Sequence, residues 1–229
     1  MTDDGELDGL LGRLMAGRPV PVAAAAGRKS DMTKRRILDA AMREIISGGI
    51  AGLSLRNIAS EIGVSLGNLT YHFPSKAVLI EAMVDDRIAD YAETFQEILS
   101  RKEGGPRDQL AAIVTALVDD LRTAEIAFFP QLWAHAVVDQ ASWVQMHKLY
   151  DLERTIFTNL LRSAAPDMPL PDAEGIALIV QSAIEGLTIF IGMDRKSEGV
   201  FADPARVLLE LIDSKLGLEG VSTGPVRVR

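Results

Sequence analysis

The serine at position 65 is the residue whose surroundings most directly suggest chemistry. It stands in Gly63-Val-Ser-Leu-Gly67, which matches the Gly-x-Ser-x-Gly pattern of the nucleophile elbow in α/β-hydrolases. That elbow requires a buried strand before the serine, and an acid and a histidine further along the chain. Here a helical apolar pattern precedes the serine, and the sequence contains no convincing strand pair. We therefore interpret Ser65 as a helix cap and not as a nucleophile.

The sequence also contains no pattern that indicates metal or thiol chemistry. The three histidines, His72, His135 and His147, do not have the spacing of metal ligands, and no His-Glu-x-x-His occurs. The chain has no cysteine, which excludes disulfides, thiolate chemistry and Cys-ligated zinc. Glycine-rich phosphate loops are absent as well. We expect a protein that is not an enzyme and that carries neither cofactor nor metal.

Residues 54–73 have the order of a helix-turn-helix: a short helix, a glycine-centred turn and a second short helix. We expect Ser54 and Ser65 to cap the two helices, and Gly63 to adopt the left-handed conformation of the turn. Leu69 and Phe73 fall on the inward face of the second helix. The outward positions, where a recognition helix places the side chains that read a DNA groove, are Leu66, Gly67, Asn68, Thr70 and Tyr71.

Charge is unevenly distributed along the chain. The whole protein has a net charge of -8. Residues 28–79 contain eight Lys/Arg and four Asp/Glu, so this segment has a net charge of +4 and the rest of the chain has -12. Such asymmetry suits the binding of a polyanion at one end, although a solvated surface is the alternative. The basic residues that could contact a DNA backbone or minor groove as an arm are Arg28, Lys29, Lys34, Arg35 and Arg36.

The elements that would position these residues are all helical. We predict a first helix from an N-cap at Thr33 to Gly48-Gly49, and a fourth helix over about 75–102 that is long enough to connect two lobes. Further helices are predicted over 107–123, 125–138, 139–164, 172–192 and 204–216, with Pro130 kinking the second of them. The fold class is all-α, with about nine helices. The predicted divisions are a disordered extension (1–31), a helix-turn-helix domain (32–80), a ligand-binding and dimerisation domain (81–217) and a flexible tail (218–229).

The motif at 33–80 resembles the TetR (tetracycline-repressor) family. It reads Thr33-Lys-Arg-Arg-Ile-Leu-Asp-Ala-Ala, then Leu55-Arg-Asn-Ile-Ala, then Gly63-Val-Ser-Leu-Gly-Asn-Leu-Thr-Tyr-His-Phe-Pro-Ser-Lys76. The resemblance implies nine helices, of which the first three bind an operator in double-stranded DNA. It also implies a fourth helix leading to a core that binds a small-molecule effector, and two last helices that pair in a homodimer.

The resemblance further implies roles for individual residues. Contacts to phosphate would come from Ser65, Tyr71, His72 and Lys76, and contacts to bases from Leu66, Asn68 and Thr70. The complete predicted DNA-binding set is Lys34, Arg35, Ser54, Arg56, Ser65, Leu66, Gly67, Asn68, Thr70, Tyr71, His72 and Lys76. The family pattern usually has Tyr three residues before the Phe, whereas this chain has Thr70 there and Tyr71 next to it.

Six aromatic residues are concentrated in residues 125–161, which could line a small-molecule pocket or form ordinary core. The predicted ligand-binding residues are Phe129, Trp133, His135, Trp143, Met146, His147, Tyr150 and Arg154. Residues 132–139 and the helix after them resemble the effector domain of choline/betaine-pathway regulators of the same family. This resemblance does not name a single effector.

Residues 172–192 form the most apolar predicted helix. Gln181 and Glu185 interrupt it, which favours a buried helix of a soluble, cytoplasmic protein over a membrane span. We expect it to form a dimer interface together with the last helix, the alternative being the central helix of a monomer. The predicted interface residues are Ile184, Leu187, Ile191, Val207, Leu208, Leu211 and Ile212.

These patterns predict a ligand-responsive transcriptional regulator, a repressor that a small-molecule effector releases from DNA. One competing hypothesis is a ligand-binding or scaffold protein whose helix-turn-helix no longer binds DNA. Another is an all-α enzyme, which would need a catalytic cluster that the sequence does not show.

Overall fold

The computed structural model describes residues 25–101, 104–193 and 203–217, and this part of the chain contains nine α-helices and no strand. The all-α prediction is therefore confirmed. The helices are α1 (Ala25–Gly52), α2 (Leu55–Glu61), α3 (Leu66–His72), α4 (Lys76–Ser100), α5 (Pro106–Asp120), α6 (Phe128–Ala136), α7 (Gln140–Ala164), α8 (Leu170–Leu187) and α9 (Pro204–Leu216). A 3₁₀ turn (Ala124–Ala127) precedes α6, and a π-helical segment (Thr188–Met193) follows α8. The predicted tail, and residues 1–24 of the predicted extension, lie outside the described residues.

The first helix begins earlier than the sequence predicted. It starts at Ala25, so residues 25–31 of the predicted disordered extension are helical, and Thr33 is not its N-cap. Ala25 and Ala26 are strong helix formers and allow the helix to extend past the threonine. The predicted break at the other end is confirmed, because Gly49 has a φ of +74°. A side chain there would also crowd Gln131, since a Cβ would lie 3.0 Å from its Oε1.

The described residues divide into two compact units. The first consists of residues 25–93 and 127–149, and in it α1 packs against α2 and α6 while α2 packs against α3. Its core contains the apolar faces that the sequence predicted for α1 and α2: Ile37, Ala40, Ala41, Ile45, Ile58, Ala59 and Ile62 are all buried.

The helix predicted over 125–138 is shorter than expected, and its proline does not kink it. Pro130 is the third residue of α6, within the first turn. Backbone N–H groups in the first turn have no partner inside the helix, so a proline there removes no hydrogen bond. The prediction of a kink at Pro130 was therefore wrong.

The second unit consists of the described residues in 94–126 and 150–217. It contains α5, α8, α9 and the C-terminal parts of α4 and α7, and α9 packs against α5. Asp203 caps α9, because its side chain accepts a hydrogen bond from the backbone N–H of Arg206 (2.9 Å), and Pro204 is the first helical residue. This helix has the bounds that the sequence predicted, 204–216.

An ion pair links α5 to α9. The Arg107 guanidinium donates to both carboxylate oxygens of Asp213, at 2.8 Å through Nε and at 2.5 Å through Nη2. The two side chains are only 19% and 11% exposed, so water screens the pair weakly. The hydrogen bonds to Asp213 raise the pKa of Arg107 further above its usual value.

Replacing Asp213 with Ala should destabilise the second unit, since it leaves the Arg107 charge largely buried and without its partner. We expect a loss of about 2–3 kcal/mol in the free energy of unfolding, measured by urea denaturation. Glu210→Ala is the matched control, because its ion pair with Arg206 is exposed on the same helix and should contribute less than about 0.5 kcal/mol. Equal losses in the two variants would contradict a role for burial.

Candidate functional site

The helix-turn-helix is held by the caps that the sequence predicted. The Ser54 Oγ accepts a hydrogen bond from the Asn57 N–H at 3.4 Å, and the Ser65 Oγ accepts one from the Asn68 N–H at 3.1 Å. Gly63 has a φ of +70°, in the left-handed region that favours glycine. These local interactions fix where α3 begins and which of its faces points outward.

The outer face of α3 carries several of the predicted contact residues. Leu69 and Phe73 are buried, as expected from their spacing. Ser65, Leu66, Gly67, Asn68 and Tyr71 are exposed, while Thr70, His72 and Lys76 are half-buried. The structure therefore places Leu66, Gly67, Asn68 and Tyr71 on the exposed face of one short helix, with Ser65 at its cap and Lys76 at the start of α4.

Thr70 and Tyr71, where the chain departs from the family pattern, differ in the surroundings of their hydroxyl groups. The Thr70 Oγ1 donates to the Leu66 carbonyl within its own helix (3.0 Å). The Tyr71 side chain is 79% exposed, and its ring lies edge-on to the His72 ring with centroids 5.2 Å apart. Tyr71 is thus the one of the two that offers an outward hydroxyl.

Basic side chains around this helix have different partners. Lys76 Nζ lies 3.3 Å from the Ala51 carbonyl, and Arg36 donates to the Ile62 carbonyl. Arg35 forms ion pairs with Asp39 (2.9 Å) and Asp86 (2.8 Å), so carboxylates of this chain already neutralise one of the predicted DNA contacts. Arg56 is exposed and Lys34 is half-buried. The side chains of Arg28 and Lys29 lie outside what the structure describes.

Two effects lower the pKa of His72 at the edge of this surface. Partial burial lowers its pKa, and the positive charge of Lys34 lowers it further. A neutral imidazole can still donate one hydrogen bond to a phosphate oxygen, but it adds no charge at pH 7.

The predicted ligand-binding residues are distributed over both units. In the first unit Phe129 is buried, with its ring centroid 6.2 Å from that of Tyr91, while Trp133, His135 and Met146 are half-buried. Trp143 is 43% exposed and stacks on His147 with ring centroids 3.6 Å apart. In the second unit Arg154 pairs with Asp151 on the half-exposed side of α7.

Tyr150 belongs to a polar cluster that the sequence analysis missed in part, in which Glu153 and Gln181 are buried and Tyr150 and Glu185 are half-buried. Its hydroxyl donates to Glu185 Oε2 (3.2 Å). The Gln181 Nε2 lies 3.0 Å from both the Tyr150 carbonyl and Glu153 Oε2. Glu153 is only 4% exposed. We name Tyr150, Glu153, Gln181 and Glu185 the acidic cluster; it connects α7 to α8 within the second unit.

Burial dominates the electrostatics of the acidic cluster. Burial raises the pKa of Glu153 to about 8. The negative charge of the nearby Glu185 also raises this pKa, and the hydrogen bond from Gln181 lowers it. Burial likewise raises the pKa of Glu185 to about 7, against the hydrogen bond from Tyr150. At neutral pH Glu153 therefore keeps a proton that an exposed glutamate would have lost, and Glu185 keeps one in part of the population.

A sequence signal for Glu153 was present. It falls in the stripe of α7 that also contains Leu149, Leu152, Ile156 and Leu160, all of them buried. An acid inside such a stripe must be buried with it, and buried acids concentrate at functional sites. The prediction of ligand-binding residues on this helix followed the aromatic side chains, which lie on a neighbouring and more exposed face.

An apolar groove of about 850 Å³ lies along α8 and α9. Ile179 and Leu211 on its wall are 67% and 60% exposed, and Leu178 of α8 is 49% exposed. Among the predicted interface residues, Ile184, Ile191, Leu208 and Ile212 are buried within this chain, although the last two also form part of the groove. Leu187 and Val207 are half-buried. The polar stripe of α8 faces inward, which turns Ile179 and not Ile184 outward.

Among the described helices, α8 with its π-helical extension (170–191) is long and apolar enough to cross a membrane by length and composition alone. A core helix of a soluble protein can meet the same criterion. One face of this helix contributes Gln181 and Glu185 to the acidic cluster with α7, and the other face lines the apolar groove.

Comparison with known proteins agrees with this arrangement. Residues 37–83 match a family model described as bacterial regulatory proteins of the tetR family, and residues 106–216 match the C-terminal domain of BetI-type transcriptional repressors. The two matches together cover more than half of the chain. The chain belongs to the TetR family.

Relatives and solved structures are consistent with this membership. The HTH-type transcriptional regulator BetI of Burkholderia cenocepacia (strain HI2424) is 26% identical over 165 residues, which cover 69% of this chain and 80% of BetI. A transcriptional regulator from Rhodococcus sp. Rha1 has a similar fold, with a TM-score of 0.65, 21% identity, and coverage of 84% of this chain and 99% of that one. A proposed regulator from Saccharomonospora viridis, solved in complex with choline, has a TM-score of 0.62, 20% identity, and coverage of 82% and 97%.

TetR-family membership gives the chain its general activity. It is a ligand-responsive, DNA-binding transcriptional regulator. Regulators of this family bind DNA operators and act as dimers with small-molecule effectors.

Proposed function

We propose that this chain is a homodimeric repressor that reads its operator through α3 and leaves DNA when a small organic cation binds at the acidic cluster. The observation that supports this proposal is the buried carboxyl group of Glu153 together with the half-buried carboxyl group of Glu185, which lies beside the Tyr150 side chain. A soluble domain rarely buries an acid beside a second one unless something compensates for their charge.

The DNA-binding part of the proposal rests on the outer face of α3. Asn68 can form paired hydrogen bonds with adenine, and Leu66 can contact a thymine methyl group. The outward hydroxyl of Tyr71 supports it, and not Thr70, as a phosphate contact, since the Thr70 hydroxyl is bonded inside the helix. Lys76 would add a charge contact to phosphate.

Replacing Asn68 with Ala should reduce discrimination at one base pair, whereas Lys76→Ala should weaken binding to all sequences. We expect Asn68→Ala to cost about 10-fold or more on the operator, with little change on random DNA. The operator is recovered by selecting bound genomic fragments, and affinities come from fluorescence anisotropy. For Lys76→Ala the slope of log affinity against log salt should fall by about one. Equal losses of Asn68→Ala on both DNAs would contradict base reading.

The effector part of the proposal rests on complementary charge. Quaternary ammonium groups bind where aromatic rings and carboxylates surround them, and Tyr150 with the two glutamates provides both kinds of group. The match to the BetI-type C-terminal domain, and the similarity in fold to a protein solved with choline, favour a ligand of this class. We infer that choline, or a cation of similar size, is recognised at this cluster.

Choline should therefore release the wild-type protein from its operator. The matched control is 3,3-dimethylbutan-1-ol, which has the shape of choline with carbon in place of the charged nitrogen and should not release it. Glu185→Gln keeps the side chain's shape, and we expect it to weaken release at least about 10-fold. Mobility shifts over a ligand series provide the measurement. Equal potency of choline and its neutral analogue would contradict recognition of charge.

The dimer part of the proposal rests on the apolar groove along α8 and α9. Ile179, Leu178 and Leu211 would be poorly solvated in a monomer. Gly175 and Gly186 leave open space above the backbone of α8, which allows a second helix to approach closely. Because family members act as dimers, we propose a second copy of this chain as the occupant of the groove.

Release requires that the effector bind one arrangement of the dimer better than another. A ligand shifts a conformational equilibrium only by its difference in affinity for the two states. Helices α4 and α7 each contribute residues to both compact units, so a change at the acidic cluster on α7 has a continuous helix through which to act. We infer that the protein performs this function in the cytoplasm, as family members do.

A further inference from the structure

Gly67 is exposed on the outer face of α3, at a position where the fold itself does not require a glycine. Its backbone is helical, unlike that of Gly63, so an alanine could adopt the same conformation. Beyond its own backbone neighbours, a Cβ there would approach one atom of the described residues, the Ser65 Oγ, at 4.0 Å. A glycine in a helix also costs stability relative to alanine, because it has more conformational freedom to lose on folding. The fold of the free protein therefore does not explain this glycine, and the space above it is open to a partner.

The two asparagines of the helix-turn-helix occupy the same position in their helices but have different partners. Each donates its backbone N–H to a capping serine. The side-chain amide of Asn57 also donates to Glu44 Oε1 at 3.0 Å, so a residue of α1 holds it in place. Asn68 is exposed, and in the described part of the chain its side-chain amide forms no hydrogen bond. The amide of Asn68 is thus free to bind an external group, whereas that of Asn57 is already engaged.

The first residues of α3 carry groups that recognise adenine and thymine, and none that selects guanine or cytosine. A recognition helix contacts base edges through its N-terminal residues, which here are Leu66, Gly67 and Asn68. Guanine is read mainly by Arg or Lys and cytosine by Asp or Glu, and α3 contains none of these residue types. The exposed Arg56 belongs to α2, the helix that crosses the DNA backbone in this motif. The chemistry of α3 therefore favours A·T base pairs.

We propose that each operator half-site contains adjacent A·T base pairs under α3, read by Leu66 and Asn68 at a close approach that Gly67 permits. This inference rests on the proposed DNA-binding function and adds the class of sequence that is bound. Leu66 packs on a thymine methyl group, and the Asn68 amide pairs with N6 and N7 of an adenine. Without a Cβ at position 67, the backbone of α3 lies against the base edges between these two contacts.

Base analogues in the operator test the two contacts. The full-length protein first selects genomic fragments, and each thymine of the recovered operator is then replaced in turn by uracil, which lacks the methyl group. We expect a loss of about fourfold in affinity at a contacted thymine, the effect of removing one buried methyl group. Replacement of the contacted adenine by 7-deazaadenine, which lacks the N7 acceptor, should cost about tenfold. Fluorescence anisotropy measures the affinities.

Substitutions in the protein assign each loss to its residue. Leu66→Ala should bind the thymine and uracil operators equally, and Asn68→Ala should bind the adenine and 7-deazaadenine operators equally. Asn57→Ala is the matched control at the same position of α2, and it should keep both differences. Loss of both differences in the control would contradict the assignment to α3.

Gly67→Ala separates a role of the glycine in binding from a role in folding. We expect the melting temperature of the free protein to rise by about 1–4 °C, because alanine loses less conformational freedom. Affinity for the operator should nevertheless fall at least about tenfold, since the added methyl group meets the base edges. Unchanged operator affinity would overturn the close approach.

The same selection distinguishes failure of this inference from failure of the proposed function. Recovered half-sites without adjacent A·T pairs, or an affinity that no uracil substitution lowers, would overturn the inference and leave DNA binding in place. Failure of the wild-type protein to bind any genomic fragment would overturn the proposed function as well.

Discussion

Replacing Ile179 with Asp is expected to convert the dimer into monomers. Ile179 is 67% exposed on the wall of the apolar groove, so the change should leave the fold of the subunit intact while placing two carboxylates across a two-fold interface. A desolvated charge without a partner costs several kcal/mol, enough to dissociate the dimer at micromolar concentration. Sedimentation velocity measures the change in mass directly.

Loss of the dimer should also abolish high-affinity operator binding. In a dimer, binding of one recognition helix to its half-site holds the second helix close to the adjacent half-site. This raises the affinity for the operator by about 10²–10⁴ over that of a monomer. We therefore expect Ile179→Asp to bind operator at least about 100-fold more weakly, and to retain a circular dichroism spectrum typical of a helical protein.

Val138→Asp is the matched control, because it introduces the same charge at an apolar side chain that is 82% exposed in the turn before α7. This variant should remain dimeric. A dimeric Ile179→Asp protein would place the interface elsewhere, and dissociation of both variants would show that the effect is not specific to the groove.

The helix-turn-helix could be predicted because its signals are local. A capping serine acts on a backbone N–H three residues away, and Gly63 allows a left-handed turn without help from distant parts of the chain. Ser54, Ser65 and Gly63 therefore determine this segment almost by themselves. The start of α1 was less predictable, since Thr33 is a good cap that an alanine-rich segment before it made unnecessary.

The acidic cluster and the interface could not be located in the same way, because both depend on which face of a helix meets which neighbour. Helix α8 is apolar around most of its circumference, so its sequence does not tell whether Ile179 or Ile184 is outermost. That choice is made by Gln181, which turns toward α7 to bond Glu153. Once this polar contact is known, the exposed face of α8 follows from helical geometry.

The carboxyl groups of Glu153 and Glu185 also predict how the stability of the ligand-free protein depends on pH. An unfolded glutamate titrates near pH 4.5, whereas Glu153 titrates at about 8 and Glu185 at about 7 in the folded protein. The folded state thus binds protons more tightly than the unfolded state, so the pair does not oppose folding below about pH 4.5. As pH rises from there through 7 and 8, stability is progressively lost.

Replacing Glu153 with Gln should remove most of this loss, because an amide of the same shape has no proton to give up. Between pH 5.5 and 9 the wild type should lose on the order of several kcal/mol, and the variant considerably less. Urea denaturation at fixed protein concentration provides the free energies, the concentration being held constant because dimerisation contributes to stability. Glu174→Gln, an exposed change at the start of α8, should leave the pH profile unaltered. Parallel profiles for the wild type and Glu153→Gln would mean that Glu153 is ionised in the folded protein.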